Sequence, residues 1–343
     1  MILSFGESNG PVDQQIERLM EMAGGVRHPE IIRDMIIAAL KAGQEEEGRA
    51  DLKLMDTTLK EMRFTSKIFG RYGNVKKVTV FGSARTGPEE HLYRMAHRLG
   101  RKVARMGWMV ITGAGGGIMQ AVNEGAGRAH SFGVNIRLPF EQKPNPVLVN
   151  NPRLITYKYF FNRKVAFLKE ADAIALFPGG FGTLDEAMET LTLVQTGKRY
   201  PLPLILVDEP KGDYWLKWRQ FLEDELLSRK YISDYDFNVF ELVDSVEEAV
   251  ARIERFYRRY HSMRYVEEKL IIRLSEEIDR KSLKELGRRF SSILVPGGRI
   301  YLSRALPEEE DEPEISGLPR LVVDFNRRDF GSLRSLIDTI NDF

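Results

Sequence analysis

The 343-residue sequence contains no cysteine, which excludes disulfides, thiolate metal sites and cysteine nucleophiles. Its five histidines are scattered without the spacing of metal ligands, and neither a metal nor a redox cofactor is predicted. Excess charge is also lacking, because 51 lysines and arginines balance 50 aspartates and glutamates to a formal net charge of +1. The composition therefore gives no sign of a nucleic-acid-binding surface.

Long apolar runs are missing as well, and no membrane span is predicted because no stretch approaches 18 uninterrupted apolar residues. The first twenty residues lack the basic start and apolar core of a secretory signal. Together with the absence of cysteine, this favours a cytoplasmic location. The hydrophobic share of 43% and the charged share of 29% are typical of a globular protein.

The most informative stretch runs from Phe177 to Glu186 and reads FPGGFGTLDE. An apolar run before it predicts a buried strand, and apolar residues after it recur at helical spacing. Gly179, Gly180 and Gly182 allow a close approach to the backbone. A helix predicted to begin near Thr183 presents unpaired N–H groups and a partial positive charge. The sequence therefore predicts an anion site here, with phosphate as the expected anion.

The chain divides into three predicted units. Helical apolar stripes over residues 1–72 predict an N-terminal helical extension. Residues 73–261 alternate strands and helices, which predicts a Rossmann-like α/β core with a parallel sheet and helices on both faces. Over residues 262–343 the pattern predicts a small α+β domain whose strands and helices follow the order βαββα. Within it, the acidic stretch 307–314 has the composition of a flexible loop.

A second glycine turn, GAGGG at residues 113–117, follows another predicted strand. It fails the dinucleotide fingerprint because the third required glycine would fall at Ile118, and no P-loop sequence occurs elsewhere. Gly115, Gly116 and Gly117 are predicted to cradle a phosphate or the edge of a ribose or base. The alternative is a tight turn that allows close helix packing.

Four polar residues could bind the same anion. Ser83 and Arg85 follow the first predicted strand of the core, where a hydroxyl and a guanidinium suit phosphate oxygens. The alternative for Arg85 is a surface ion pair. Arg163 and Lys164 lie in a largely apolar helix, and a buried cation needs a partner. That partner is either a ligand or one of the acids at 185, 186 and 189.

Glu186 is the candidate catalytic carboxylate. Thr183-x-x-Glu186 also matches a capping box, in which the glutamate only bonds back to the helix start. In the first turn the helix dipole would keep Glu186 ionised, as a base or an acceptor for sugar hydroxyls. Glu189 shares its face. A carboxylate beside a phosphate cradle suits cleavage of the N-glycosidic bond of a nucleoside monophosphate, because it stabilises positive charge at the anomeric carbon.

The combined pattern resembles the LONELY GUY (LOG) family over roughly residues 75–260. The residues that carry the resemblance are Pro178-Gly179-Gly180-x-Gly182-Thr183-x-x-Glu186, Arg163-Lys164 and the glycine run at 113–117. The resemblance implies a nucleotide 5′-monophosphate phosphoribohydrolase that acts without a cofactor on an AMP-like or cytokinin riboside monophosphate. The products would be the free base and ribose 5-phosphate.

The resemblance also assigns roles to residues. Glu186 and Arg163 would form the catalytic pair, the turn from Gly179 to Thr183 would hold the phosphate, and Gly115–Gly117 would line the same pocket. A homodimer or larger homo-oligomer is expected. The label of lysine decarboxylase that the family has often carried finds no support, since no lysine lies in a recognisable pyridoxal phosphate setting. The alternative function is a nucleotide-binding or regulatory module that does not cleave its ligand.

Overall fold

The computed structural model describes residues 10–45, 48–139 and 143–343 of the chain. It separates into two compact units, Met1–Ser66 and Lys67–Phe343. The first unit is helical, with α1 at Pro11–Met22, α2 at Pro29–Glu45 and most of α3, which spans Arg49–Phe69. Ile16, Met20 and Ile37 form its small apolar cluster. The first nine residues of the predicted extension lie outside the described residues. Among the described residues, no helix has the length and apolarity that crossing a membrane requires.

The second unit is built on a parallel sheet of seven strands, arranged in the order β4-β3-β2-β1-β5-β6-β7. The predicted α/β class is therefore confirmed. The strands are β1 Lys77–Phe81, β2 Met109–Thr112, β3 Ser131–Ile136, β4 Leu154–Tyr157, β5 Ala173–Leu176, β6 Leu204–Val207 and β7 Glu241–Val243. Most are buried along their length, which explains why they read as apolar runs without alternation.

The helices of this sheet alternate with its strands. They are α4 His91–Arg105, α5 Ile118–Ala126, α6 Phe160–Lys169, α7 Phe181–Gln195, α8 Tyr214–Phe221 and α9 Val246–Phe256. The chain builds outward from β1 to β4 and then returns to place β5 on the other side of β1. The strand order thus reverses between β1 and β5, and such a switch point is where open α/β sheets bind ligands.

A second sheet of four antiparallel strands lies near the end of the chain, in the order β10-β11-β9-β8. Its elements are β8 Tyr260–Val266, β9 Lys269–Leu274, α10 Arg280–Arg289, β10 Ile300–Ser303, β11 Arg320–Val323 and α11 Phe330–Asp342. The predicted order βαββα is wrong by one strand, because it does not include β8. The observed order is ββαββα, and the predicted boundary between residues 261 and 262 falls inside β8.

The acidic stretch 307–314 is not the flexible loop that its composition indicated. It forms two short 3₁₀ turns, Pro307–Glu309 and Pro313–Ile315. Glu309 is buried and accepts hydrogen bonds from Arg273 at 2.7 and 2.9 Å and from Arg320 at 3.1 Å. Since a buried charge is tolerated only when it is paired, the two arginines of the sheet hold this segment in place.

The last helix is fastened to the parallel sheet through a buried arginine. Arg334 of α11 donates to the carbonyl of Leu202 at 2.9 Å and to Glu241 at 2.7 Å. It also bonds Asp338 one turn along its own helix. The guanidinium therefore donates to a carbonyl just before β6, to a side chain of β7 and to a side chain of its own helix. These hydrogen bonds fix the small domain against the parallel sheet.

Candidate active site

A cleft of about 740 Å³ opens at the carboxyl ends of β1 and β5, at the point where the strand order reverses. Its walls come from the segment 81–85 after β1, from Phe160 and Arg163 of α6, and from the turn and first residues of α7, Gly179 to Glu186. Met119 of α5 completes the lining. The structure therefore brings together three of the segments that the sequence analysis selected separately.

The turn after β5 starts its helix earlier than the sequence indicated. α7 begins at Phe181, with Gly180 as the N-cap and no side-chain cap. The amides of Thr183 and Leu184 both donate to the Gly180 carbonyl, at 3.0 and 3.2 Å. The amides just before them have no intrahelical acceptor and lie at the positive end of the helix, at the lining of the cleft. This is the geometry of an anion site.

The capping-box alternative for Glu186 is wrong because α7 begins at Phe181. With Phe181 as the first helical residue, Glu186 lies in the second turn and not at the third helical position that a capping box needs. Thr183 occupies that third position instead. Glu186 therefore has no capping role at this helix.

The three glycines of the turn serve different needs. A Cβ on Gly179 would lie 2.2 Å from the Thr183 hydroxyl and 2.9 Å from the Ser83 amide nitrogen, so the fold itself requires glycine there. A Cβ on Gly180 or Gly182 would meet no described atom within 4 Å. Both of these line the cleft. Their lack of a side chain leaves open space in the cleft and is not demanded by packing.

Two contacts hold the turn in position. The Ser83 amide donates to the Pro178 carbonyl at 3.0 Å, and the Tyr214 hydroxyl donates to the Gly179 carbonyl at 2.7 Å. Tyr214 was missed by the sequence analysis. It reaches the turn because Asp208, at the end of β6, accepts the amide at the start of α8 at 3.0 Å. No local pattern links residues 179 and 214, so only the tertiary structure reveals this support.

The second glycine turn lies behind the cleft and not along it. None of Gly115, Gly116 and Gly117 belongs to the lining. Gly117 has φ +62°, and a Cβ there would lie 2.2 Å from the Ser83 carbonyl oxygen, which also accepts the Ile118 amide at 3.0 Å. This is the arrangement of the tight-turn alternative. The turn supports the Ser83 and Arg85 segment from behind, and both of those residues do line the cleft.

Glu186 is the buried carboxyl of the cleft, with only 7% of its surface exposed. Its Oε2 atom is buried and has no hydrogen-bond partner among the described residues. Burial raises the pKa of Glu186 to about 7, and the positive charge of Lys164 opposes this only in part. The expectation that the helix dipole favours the ionised form of Glu186 is wrong, because Glu186 lies in the second turn and the dipole acts mainly within the first.

Arg163 lies at the same cleft and is also incompletely bonded. Its guanidinium packs over the Phe167 ring at 5.0 Å and against Gly113, where a Cβ would lie 2.3 Å from Nη2. The Nε atom is buried without a hydrogen-bond partner among the described residues. Burial lowers the pKa of Arg163, and the Glu186 charge opposes this. A buried carboxyl and a buried guanidinium that both lack hydrogen-bond partners indicate a place where a ligand binds.

Lys164 and Glu189 form a separate ion cluster. Lys164 bonds Glu189 and lies 2.9 Å from Asp185. Burial works against its charge, but the hydrogen bonds that Lys164 donates to Glu189 and Asp185 raise the pKa of Lys164 overall. Neither Lys164 nor Glu189 belongs to the lining of the cleft. Lys164 therefore has acidic side chains as its partners, whereas Arg163 faces the cleft.

Comparison with known proteins finds a sequence family and several relatives that resemble this chain. Residues 116–253 match the sequence family described as "Possible lysine decarboxylase". A cytokinin riboside 5′-monophosphate phosphoribohydrolase of Arabidopsis thaliana is 26% identical over 53% of this chain and 82% of its own length. These matches confirm the resemblance to the LONELY GUY family that was drawn from the sequence.

Two further proteins are similar to part of this chain. The pyrimidine/purine nucleotide 5′-monophosphate nucleosidase of Escherichia coli is 31% identical over 42% of this chain, which spans only 34% of that protein. The X-ray structure of a structural-genomics target is 27% identical, with a TM-score of 0.38, and covers 53% of this chain and 99% of its own. The cleft lining contains no lysine among the described residues, so the decarboxylase description has no counterpart there.

Proposed function

We propose that this protein hydrolyses the N-glycosidic bond of a nucleoside 5′-monophosphate and releases the free base and ribose 5-phosphate. The observation that carries the proposal is the buried, unbonded carboxyl of Glu186 in the same cleft as an uncapped helix start. The names of the relatives, a phosphoribohydrolase and a nucleotide 5′-monophosphate nucleosidase, support the same reaction. AMP is the first substrate to test.

The 5′-phosphate binds at the start of α7. The backbone amides of Phe181 and Gly182 are the donors. The open space beside Gly180 and Gly182 lets phosphate oxygens reach these amides. Ser83 and Arg85 complete the phosphate site from the opposite wall of the cleft. Binding energy from the phosphate, which does not react, positions the sugar for the chemical step.

Glu186 carries out the chemistry at the sugar. As the C1′–N bond breaks, its electron pair goes to the base and positive charge builds at C1′, where ionised Glu186 stabilises it. The oxygen of a water molecule bonds to C1′, one of its protons goes to Glu186, and that proton is passed to the departing base. A carboxyl with a pKa of about 7 can both accept and release a proton at neutral pH. Arg163 balances the charge of the carboxylate.

We further propose that the protein works in the cytoplasm as a homodimer or larger homo-oligomer, with no nucleic acid or membrane as partner. Exposed apolar residues beside the cleft support the assembly. Phe181 is 93% exposed at the start of α7, and α6 also exposes Phe160, Phe161 and Val165. Such a concentration of exposed apolar side chains is typical of an interaction surface.

The reaction can be tested with purified protein. AMP, GMP, CMP, UMP and a cytokinin riboside monophosphate are incubated separately, and free base and ribose 5-phosphate are measured by chromatography. At least one of these is expected to give both products in equal amounts, and adenosine, which lacks the phosphate, is expected to react far more slowly. If folded protein binds AMP saturably and returns it intact, the non-cleaving nucleotide-binding module is the better description.

The glycines of the turn provide a matched pair of variants. Gly182→Ala is expected to raise the free energy of unfolding by up to about 1 kcal/mol, because alanine favours helix and no described atom obstructs it. The same methyl group obstructs the phosphate. KM for AMP should therefore rise roughly tenfold or more, which is the effect of losing one charge-assisted hydrogen bond. Urea denaturation and steady-state kinetics measure the two effects.

Gly179→Ala is the control, and it is expected to lower the free energy of unfolding. Its methyl group would overlap the Thr183 hydroxyl and approach the Ser83 amide, so unfolding should become easier by about 1–3 kcal/mol. If Gly182→Ala leaves KM unchanged, the phosphate does not bind at this turn.

A further inference from the structure

A second large groove, of about 720 Å³, lies on the small C-terminal domain between α10 and β10. The turn Pro296-Gly297-Gly298, which leads into β10, closes one end of it. The groove shares no residue with the cleft between β1 and β5. Its volume is within the range of small-molecule sites, and the proposed reaction gives it no role.

The charged side chains of the groove are all positive. Arg280 and Lys284 lie one turn apart on α10, and Arg299 precedes β10. No aspartate or glutamate belongs to the lining. Among the described residues, none of these three cationic groups has an ion-pair or hydrogen-bond partner. The guanidinium of Arg299 only packs over the Tyr301 ring at 4.8 Å.

Several other arginines of the small domain are instead paired with acids. Arg264 is bonded to Asp311 and Glu312, Arg273 and Arg320 are bonded to Glu309, and Arg334 is bonded to Glu241 and Asp338. Asp324, which lies behind the turn, accepts the Arg299 backbone amide at 3.0 Å and does not line the groove. These acids, like Asp279 at the N-cap of α10, lie outside the lining of the groove.

Apart from Ser291, the remaining side chains that line the groove are apolar. They belong to Leu283, Leu294, Val295, Pro296 and Ile300. Leu283, Leu294 and Ile300 also pack on the core of the small domain, which makes these walls firm. A ligand that fits must therefore combine separated negative charges with an apolar or aromatic part.

We propose that this groove binds a small phosphorylated organic ligand that carries at least two negative charges. Guanidinium groups pair with phosphate oxygens in a bidentate manner, and a lysine adds a point charge. The two arginines and the lysine would surround the phosphates, while the wall of Leu294 and Ile300 contacts the organic part. The proposal does not depend on the reaction proposed for the cleft.

The test uses the full chain, with inorganic tripolyphosphate and ATP as probes in titration calorimetry at low salt. The double variant Lys284→Ala/Arg299→Ala is expected to bind both probes at least tenfold more weakly at one class of site. ATP should bind the wild type more tightly than tripolyphosphate, because only ATP can use the apolar wall. Turnover of nucleoside monophosphates should be unchanged in the double variant.

Lys281→Ala is the matched control, since Lys281 lies on α10 with the same charge but outside the lining of the groove. Hydrogen–deuterium exchange locates the site, and both probes should slow exchange within residues 280–300. The proposal is overturned if neither probe slows exchange there. It is equally overturned if Lys281→Ala weakens binding as much as the double variant, because the effect is then one of general charge.

Discussion

Replacement of Glu186 by glutamine is expected to lower kcat for cleavage of a nucleoside monophosphate by at least about a thousandfold, which corresponds to roughly 4 kcal/mol of transition-state stabilisation. The amide has nearly the same shape as the carboxyl but can neither carry negative charge nor accept a proton from water. The positive charge at C1′ then develops without its counter-charge. KM should change little, because the donors proposed for the phosphate are backbone amides at the start of α7.

Steady-state kinetics with AMP and calorimetric titration of AMP into the inactive variant separate the two effects. Glu170→Gln is a suitable control, because Glu170 lies just after α6, paired with Lys169, and is not part of the cleft. It should keep nearly full activity. Retention of more than a tenth of the wild-type kcat by Glu186→Gln would mean that another group performs the chemistry.

The parallel-sheet core could be predicted from the sequence because its signals are local. Buried strands such as β1 and β5 read as short apolar runs, and the runs of β1, β2 and β5 are each followed by glycine. The antiparallel β8 was missed because its burial is intermittent and no glycine or proline separates it from α9. The hairpin to β9 turns instead through Glu267, with φ +52°, a conformation that glycine or asparagine usually signals.

The parts of the site that could not be predicted all depend on tertiary contacts. The sequence pattern singled out Glu186 but could not show that α7 begins at Phe181, which decides between a capping role and a place within the cleft. It could not bring Tyr214 to the Gly179 carbonyl, because 35 residues separate them. Likewise the composition of residues 307–314 conceals Glu309, whose burial depends on arginines from two other strands.

The second large effect expected from Glu186 concerns stability and its dependence on pH. Burial raises the pKa of this carboxyl from 4.5 to about 7 in the folded protein. The folded protein therefore holds the proton more tightly than the unfolded chain does. Below pH 4.5 both states are protonated and the group contributes no difference, whereas between pH 4.5 and 7 unfolding becomes progressively more favourable as the unfolded chain releases the proton.

The wild type should thus lose roughly 3 kcal/mol of stability from this group between pH 4.5 and pH 8, since each pKa unit corresponds to about 1.4 kcal/mol. Glu186→Gln does not titrate and is free of this loss. The free energy of unfolding of the variant minus that of the wild type should therefore rise by roughly 3 kcal/mol over the same pH range, measured by urea denaturation. Other groups titrate in both proteins and cancel in the difference.

A difference that stays constant with pH would show that Glu186 ionises normally in the folded state, and a carboxyl of that kind would not be suited to exchange protons at neutral pH. A difference that rises as expected, together with the loss of turnover, would show that one residue destabilises the fold and supports the reaction. Both effects have the same cause, because a carboxyl buried without a hydrogen-bond partner is costly to ionise until a developing positive charge lies beside it.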